Sequence, residues 1–257
     1  MAIKHVKSDT LNLRSAPIVA DGNIIGELLK GQRVDTLAPV DANGWVSAQA
    51  TVNGVLRQGF VKERLLRDPA SDAKESLITA AVAEWVRFER GTGREDLPPF
   101  FTFVGEMWKQ VGEPNLDGRN RDQPWSAAFI SFIVRKAGAA YAGFKFHEAH
   151  ARYIHDSIVK REAGTPAPFW GFRLNEHKVG LGDLVCQWRV SKVTFDDARR
   201  TNEFTSHCDV VVEVGPGFVR TLGGNVGHTV GFKTYDVDGN GFLEAENNLF
   251  AVMRNNV

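Results

Sequence analysis

The sequence predicts an α+β protein in two parts: a small all-β barrel, then helices packed on an antiparallel sheet. Three observations carry this. Residues 8–67 hold short β-like runs broken by turn residues at close spacing. Residues 74–162 switch to helical periodicity. From Gly182 onward the chain returns to strand-like runs, and helices followed by strands read as α+β. The 257 residues exceed what one compact core needs. The polar stretch Arg67-Asp68-Pro69-Ala70-Ser71-Asp72 marks the seam, giving domains at 1–67 and 74–257.

In the first part the expected strands are Thr10-Leu11-Asn12-Leu13-Arg14, residues 23–29, residues 32–37, Trp45-Val46-Ser47-Ala48 and Gln58-Gly59-Phe60-Val61. Asn53-Gly54 is a hairpin signal. In the second part, Leu77, Ile78, Ala81, Val82, Trp85 and Phe88 fall at helical spacing within residues 74–90. Further helices are expected at 99–111, 124–137 and 147–162, with Gly138 closing the third. Their Trp and Phe residues read as core. Strands follow at 183–188, 209–214 and 218–222, and two more flank residues 236–240.

Lys plus Arg equals Asp plus Glu, 31 of each. That balance gives no electrostatic reason to expect nucleic acid or an anionic membrane as partner. No apolar run is long enough to span a bilayer. The opening Met1-Ala2-Ile3-Lys4-His5-Val6-Lys7 lacks the apolar core of a signal peptide. The expectation is synthesis in the cytoplasm and release or delivery by other machinery. Cys186 and Cys208 read as two small buried residues or as a cross-strand disulfide.

The chemistry centres on Asp122-Gln123-Pro124-Trp125-Ser126-Ala127-Ala128-Phe129 and on Ser206-His207-Cys208-Asp209. Asp122 can cap the third helix, and Pro124 suits its first turn. Ser126 then lies where free N–H groups and the helix dipole favour negative charge. A serine hydroxyl needs a base, and His207, opening a strand, is the candidate. Asp209 lies two residues on, on the same face of the strand. His147 and His150 are three apart on a helix, a spacing that can ligate zinc, but no third ligand accompanies them. Asp236, Asp238, Asn240 and Glu244, with Gly241 at position six, resemble a calcium loop, with Asn247 at position twelve; a tight hairpin turn explains them equally. No metal or cofactor is expected.

Two resemblances sharpen this reading. Leu-Asn-Leu-Arg-Ser-Ala-Pro at 11–17, Ile25-Gly26-Glu27-Leu28, Gly44-Trp45 and Gly59-Phe60-Val61 resemble a bacterial SH3-like domain. That implies a wall-binding module or a structural appendage. Pro124-Trp125-Ser126-Ala127-Ala128-Phe129 resembles the Pro-Trp-Cys-Ala-Ala-Phe helix start of CHAP-type amidases and NlpC-type peptidases, which are papain-like peptidoglycan hydrolases. Gly182-Asp183-Leu184-Val185, the His207 strand and Leu222-Gly223-Gly224-Asn225-Val226 are similar to their other motifs in order. Trp-Ser-Ala-Ala-Phe-Ile-Ser is shared with the bacterial domain-of-unknown-function family 2272.

The resemblance implies an amide-bond hydrolase acting on peptidoglycan, with Ser126 where those families carry cysteine. Ser126 would attack, His207 would take its proton and Asn225 would orient the imidazole. The main-chain N–H groups of Ser126 and Gln123 would hold the oxyanion. Asp209, His150, Asp122 and Trp125 are secondary candidates. The setting implied is a phage lysin or a delivered antibacterial effector, with a secretion or immunity partner. A serine esterase or acyltransferase on the same frame, or a non-catalytic wall binder, are the alternatives.

Overall fold

The computed structural model describes residues 1–245 and 248–257. The chain separates into two compact units, Met1–Glu75 and Ser76–Val257.

The first unit is a seven-stranded antiparallel sheet. Its strands are β1 (Ala2–Val6), β2 (Thr10–Arg14), β3 (Ile24–Leu29), β4 (Arg33–Thr36), β5 (Trp45–Val52), β6 (Val55–Lys62) and β7 (Leu66–Arg67). Their order is β3-β2-β6-β5-β4-β1-β7. Asn53 and Gly54 turn β5 into β6 with φ of 50° and 77°, the left-handed pair a two-residue hairpin requires. Alternation sends Leu11, Leu13, Leu28, Val34, Val46 and Val61 into one core. The expected barrel is not closed: β3 and β7 end the sheet and do not pair with each other.

The second unit packs helices on a six-stranded antiparallel sheet. The helices are α1 (Asp72–Arg87, most of it in this unit), α2 (Phe100–Lys109), α3 (Ser126–Lys136), α4 (His150–Glu162) and α5 (Phe195–Arg200). The strands are β8 (Phe169–Phe172), β9 (Leu184–Trp188), β10 (Ser206–Gly215), β11 (Phe218–Gly223), β12 (Gly231–Asp236) and β13 (Leu249–Asn255). Their order is β12-β11-β10-β9-β13-β8. Among the described residues the molecule is therefore mixed α and β, with two antiparallel sheets and five α-helices.

Helix α3 is buried on every side from Ser126 to Val134, as an apolar helix lying on a sheet must be. It packs against β10 and β11, and α4 packs against β8 and β10. Helices α3 and α4 thus both pack on β10. Gly171 of β8 permits the close approach of α4, because a Cβ there would lie 2.5 Å from Ile158 Cγ1.

Strands β1 and β7 lie outside the expected runs, and in the second unit three elements depart from expectation. Helix α4 begins at His150, so His147 lies ahead of it. Strand β8 and helix α5 were not expected. The second has its own signal, a capping box in which Thr194 and Asp197 exchange hydrogen bonds. At residues 236–244, Asp238 Oδ1 accepts the N–H groups of Asn240 and Phe242, and Val237 bridges Leu243. These contacts form a tight turn. Asn247, the expected twelfth position of a calcium loop, lies outside the described residues. No group of three or more metal-binding side chains occurs among the described residues, and no helix there is long and apolar enough to cross a membrane.

Candidate active site

Helix α3 opens at Ser126, with Trp125 as the residue before its first turn. The N–H groups of this turn have no preceding carbonyl to bond, so their partial positive charge faces outward. Ser126 is 4% exposed, and its Oγ lies 2.7 Å from His150 Nε2. His150 is the first residue of α4, and its Nδ1 faces the hydroxyl of Tyr153 one turn on.

A second imidazole completes the cluster. His207 Nε2 donates to Asp209 Oδ1 at 2.5 Å across the i,i+2 spacing of β10. Asp209 Oδ2 takes Lys233 Nζ at 2.8 Å and the Tyr235 hydroxyl at 3.3 Å, both from β12. The His150 and His207 rings lie 5.3 Å apart between centroids. Ser126, His150, His207 and Asn225 line one cleft of about 450 Å³, with Arg189 and Glu148 at its walls. A larger open depression of about 830 Å³ near Trp170 and Arg254 holds no nucleophile–base pair.

Burial dominates the electrostatics. It pushes both imidazoles toward the neutral form, His150 far more so, and the nearby Arg189 charge acts in the same direction. Asp209 opposes this at His207. Burial alone would raise the Asp209 carboxyl, but His207 and Lys233 hold it well below the ordinary range. Asp209 is thus a carboxylate fixed behind one ring only. Burial also keeps the Tyr153 and Tyr235 phenols protonated.

Glycines make room for the cluster. A Cβ on Gly224 would lie 2.5 Å from Phe129 Cβ and 2.7 Å from Trp125. The β11–β12 loop can therefore lie against the start of α3, bringing Asn225 to the cleft at a φ of 56°. Glu95 ties the same two segments from beneath. Its carboxylate takes Trp125 Nε1 at 2.5 Å and His228 Nδ1 at 2.9 Å.

Several expected roles change. Asp209, not Asn225, holds His207, because the i,i+2 spacing already places a charged acceptor there; Asn225 lines the cleft without bonding the ring. Asp122 does not cap α3, which starts four residues later and has no side-chain cap. The Gln123 N–H is engaged by Asn120 O and is not free for an oxyanion. Trp125 is core, stacked on Phe88 at 5.5 Å. His147 Nδ1 accepts the Ala149 N–H at 3.1 Å and lies 2.9 Å from the Glu148 carboxylate, while Ser126 bonds His150 instead. Cys186 and Cys208 are free, buried and paired across β9 and β10 with sulfurs 3.2 Å apart. Tyr153, Lys233, Arg189 and Glu95 were not anticipated. Tyr153 lies at i+3 from His150, the one of the four with a local sequence signal.

Residues 105–256, more than half of the chain, match the family described as uncharacterized protein conserved in bacteria (DUF2272). The chain belongs to this DUF2272 family. No functionally curated protein matches it. Among solved structures, NlpC2 from Trichomonas vaginalis is similar at 12% identity, over 99% of this chain and 73% of that one, with a TM-score of 0.34.

Proposed function

We propose that the second unit is a serine-based amide hydrolase of peptidoglycan, and that the first is an SH3-like module that holds it to the wall. The observation that carries the enzymatic reading is the placement of Ser126. It sits at the amino end of α3, in the same cleft as a buried histidine–carboxylate couple.

Ser126 Oγ attacks the carbonyl; His207, which lines the same cleft but does not hydrogen-bond Ser126 in this structure, takes the proton at Nδ1 in the proposed step. Asp209, already on Nε2, stabilises the imidazolium that results. The carbonyl oxygen becomes an oxyanion near the free N–H groups of the first turn of α3. His207 returns the proton to the leaving amine, and water then repeats the sequence on the acyl-serine. Motif order supports the wall substrate: helix-start nucleophile, Gly-Asp-Leu-Val strand and histidine strand follow one another as in papain-like wall hydrolases. The proposed setting is the cell wall, reached after release or delivery, with a secretion or immunity partner.

The test is incubation of wild type and S126A with purified sacculi, followed by mass spectrometry of released fragments. New amine and carboxyl ends from wild type alone support the reading and name the bond. Intact sacculi with a folded wild-type protein would overturn the wall-hydrolase reading.

A further inference from the structure

A serine hydroxyl ionises far less readily than a thiol, so Ser126 needs more than a base to react. The second histidine of the cleft has the geometry for this. His150 is 4% exposed, its Nε2 is 2.7 Å from Ser126 Oγ, and Tyr153 meets its Nδ1. Its Nδ1 meets the Tyr153 hydroxyl, in contrast to His207, which is held by the Asp209 carboxylate.

The tautomer follows from the tyrosine. Tyr153 is 1% exposed, and a buried hydroxyl needs an acceptor. It faces His150 Nδ1 and the Cys208 thiol. A bare imidazole nitrogen accepts well and sulfur only weakly, while the Cys208 thiol donates to Cys186. The Tyr153 O–H therefore goes to Nδ1, and the ring proton sits on Nε2, aimed at Ser126.

We propose that His150 is a neutral hydrogen-bond donor to the Ser126 oxygen, fixed in that tautomer by Tyr153, and that this donor makes a serine reactive in this site. The proposal rests on Ser126 being the nucleophile. The donor stabilises the alkoxide as the Oγ proton moves to His207. Nucleophilicity falls by only about half as much as basicity, so a lowered hydroxyl pKa is a net gain. On deacylation the same N–H faces Oγ as it leaves. His150 touches the reacting atom; Tyr153 is a positioning residue.

The test uses the full chain and two readouts. Nitrogen-15 NMR of histidine-labelled protein reports the His150 tautomer directly. A protonated Nε2 with a bare Nδ1 is expected, and Y153F should mix the two forms. Labelling by a fluorophosphonate reports Ser126 reactivity without any wall substrate: the Oγ–P bond forms, fluoride leaves, and the proton goes to His207. H150A should slow labelling on the order of 100-fold, and Y153F about tenfold. In an S126C background, alkylation by iodoacetamide should change less than about threefold on adding H150A, because a thiolate forms without the donor. A bare Nε2 in wild type, or equal losses in both backgrounds, overturns the proposal. Rapid labelling of Ser126 with uncut sacculi leaves it standing while the wall substrate falls. If H150A does not fold, the wild-type tautomer still decides.

Discussion

Gly223 stands where any Cβ would lie 1.7 Å from Asp209 Oδ1, the oxygen that holds His207. The strand next to β10 is therefore hollowed at one residue to admit the histidine–carboxylate couple. Gly223→Ala should displace that carboxylate. Expected are a loss of about 1–3 kcal/mol of stability from overpacking and a fall in fluorophosphonate labelling on the order of 100-fold. Urea unfolding and the labelling rate measure the two effects separately. A variant of unchanged rate would show that Asp209 does not serve His207.

Stability should fall with acid in a defined window. His150 and His207 are both held neutral in the folded protein, mainly by burial. Their folded pKa values lie below the unfolded value of about 6.5, so the unfolded chain takes up protons first. The stabilisation is complete above that pH and is lost as pH falls toward the folded values. Each histidine contributes a slope of at most about 1.4 kcal/mol per pH unit. Urea midpoints of wild type, H150Q and H207Q between pH 7.5 and 5.5 test this. Both variants should show a shallower dependence. Asp209, held low, adds its own loss only further into acid, below about pH 4.

Glu95 should matter to a site it does not touch. It accepts Trp125 Nε1 beside Ser126 and His228 Nδ1 in the loop that carries Asn225. E95A leaves a buried indole N–H unpaired, a loss of about 1–3 kcal/mol. Thermal unfolding should register that loss. Labelling of Ser126 should slow as the start of α3 loosens, while E95Q, which keeps an acceptor, should recover most of the rate.

Much of this arrangement is legible in sequence because it depends on local periods. Pro124-Trp125-Ser126 reads as a helix start, and the His207–Asp209 pair follows from strand alternation alone. The partner of Ser126 does not. His150 reaches it from a helix 24 residues away, and no spacing rule relates the ends of two helices. Strand β8 is four residues beside Pro168, with a glycine demanded by α4, so its signal lies in packing rather than in its own residues. Lys233 and Tyr235 share a face of β12, but only the fold says that this face meets Asp209. The barrel expectation failed on closure, which short-range turns and alternation do not encode.

Val190, beside Arg189 at the wall of the cleft, has a φ of 65° and is 93% exposed. Ser191 N–H closes a three-residue turn onto Arg189 O at 2.7 Å. A β-branched residue in the left-handed region is costly, and glycine would relieve the turn. The chain thus holds an isopropyl group in water at the wall of the cleft that contains Ser126. For the proposed hydrolase, that puts an apolar contact at the rim of the cleft, set by the backbone of a single strained turn.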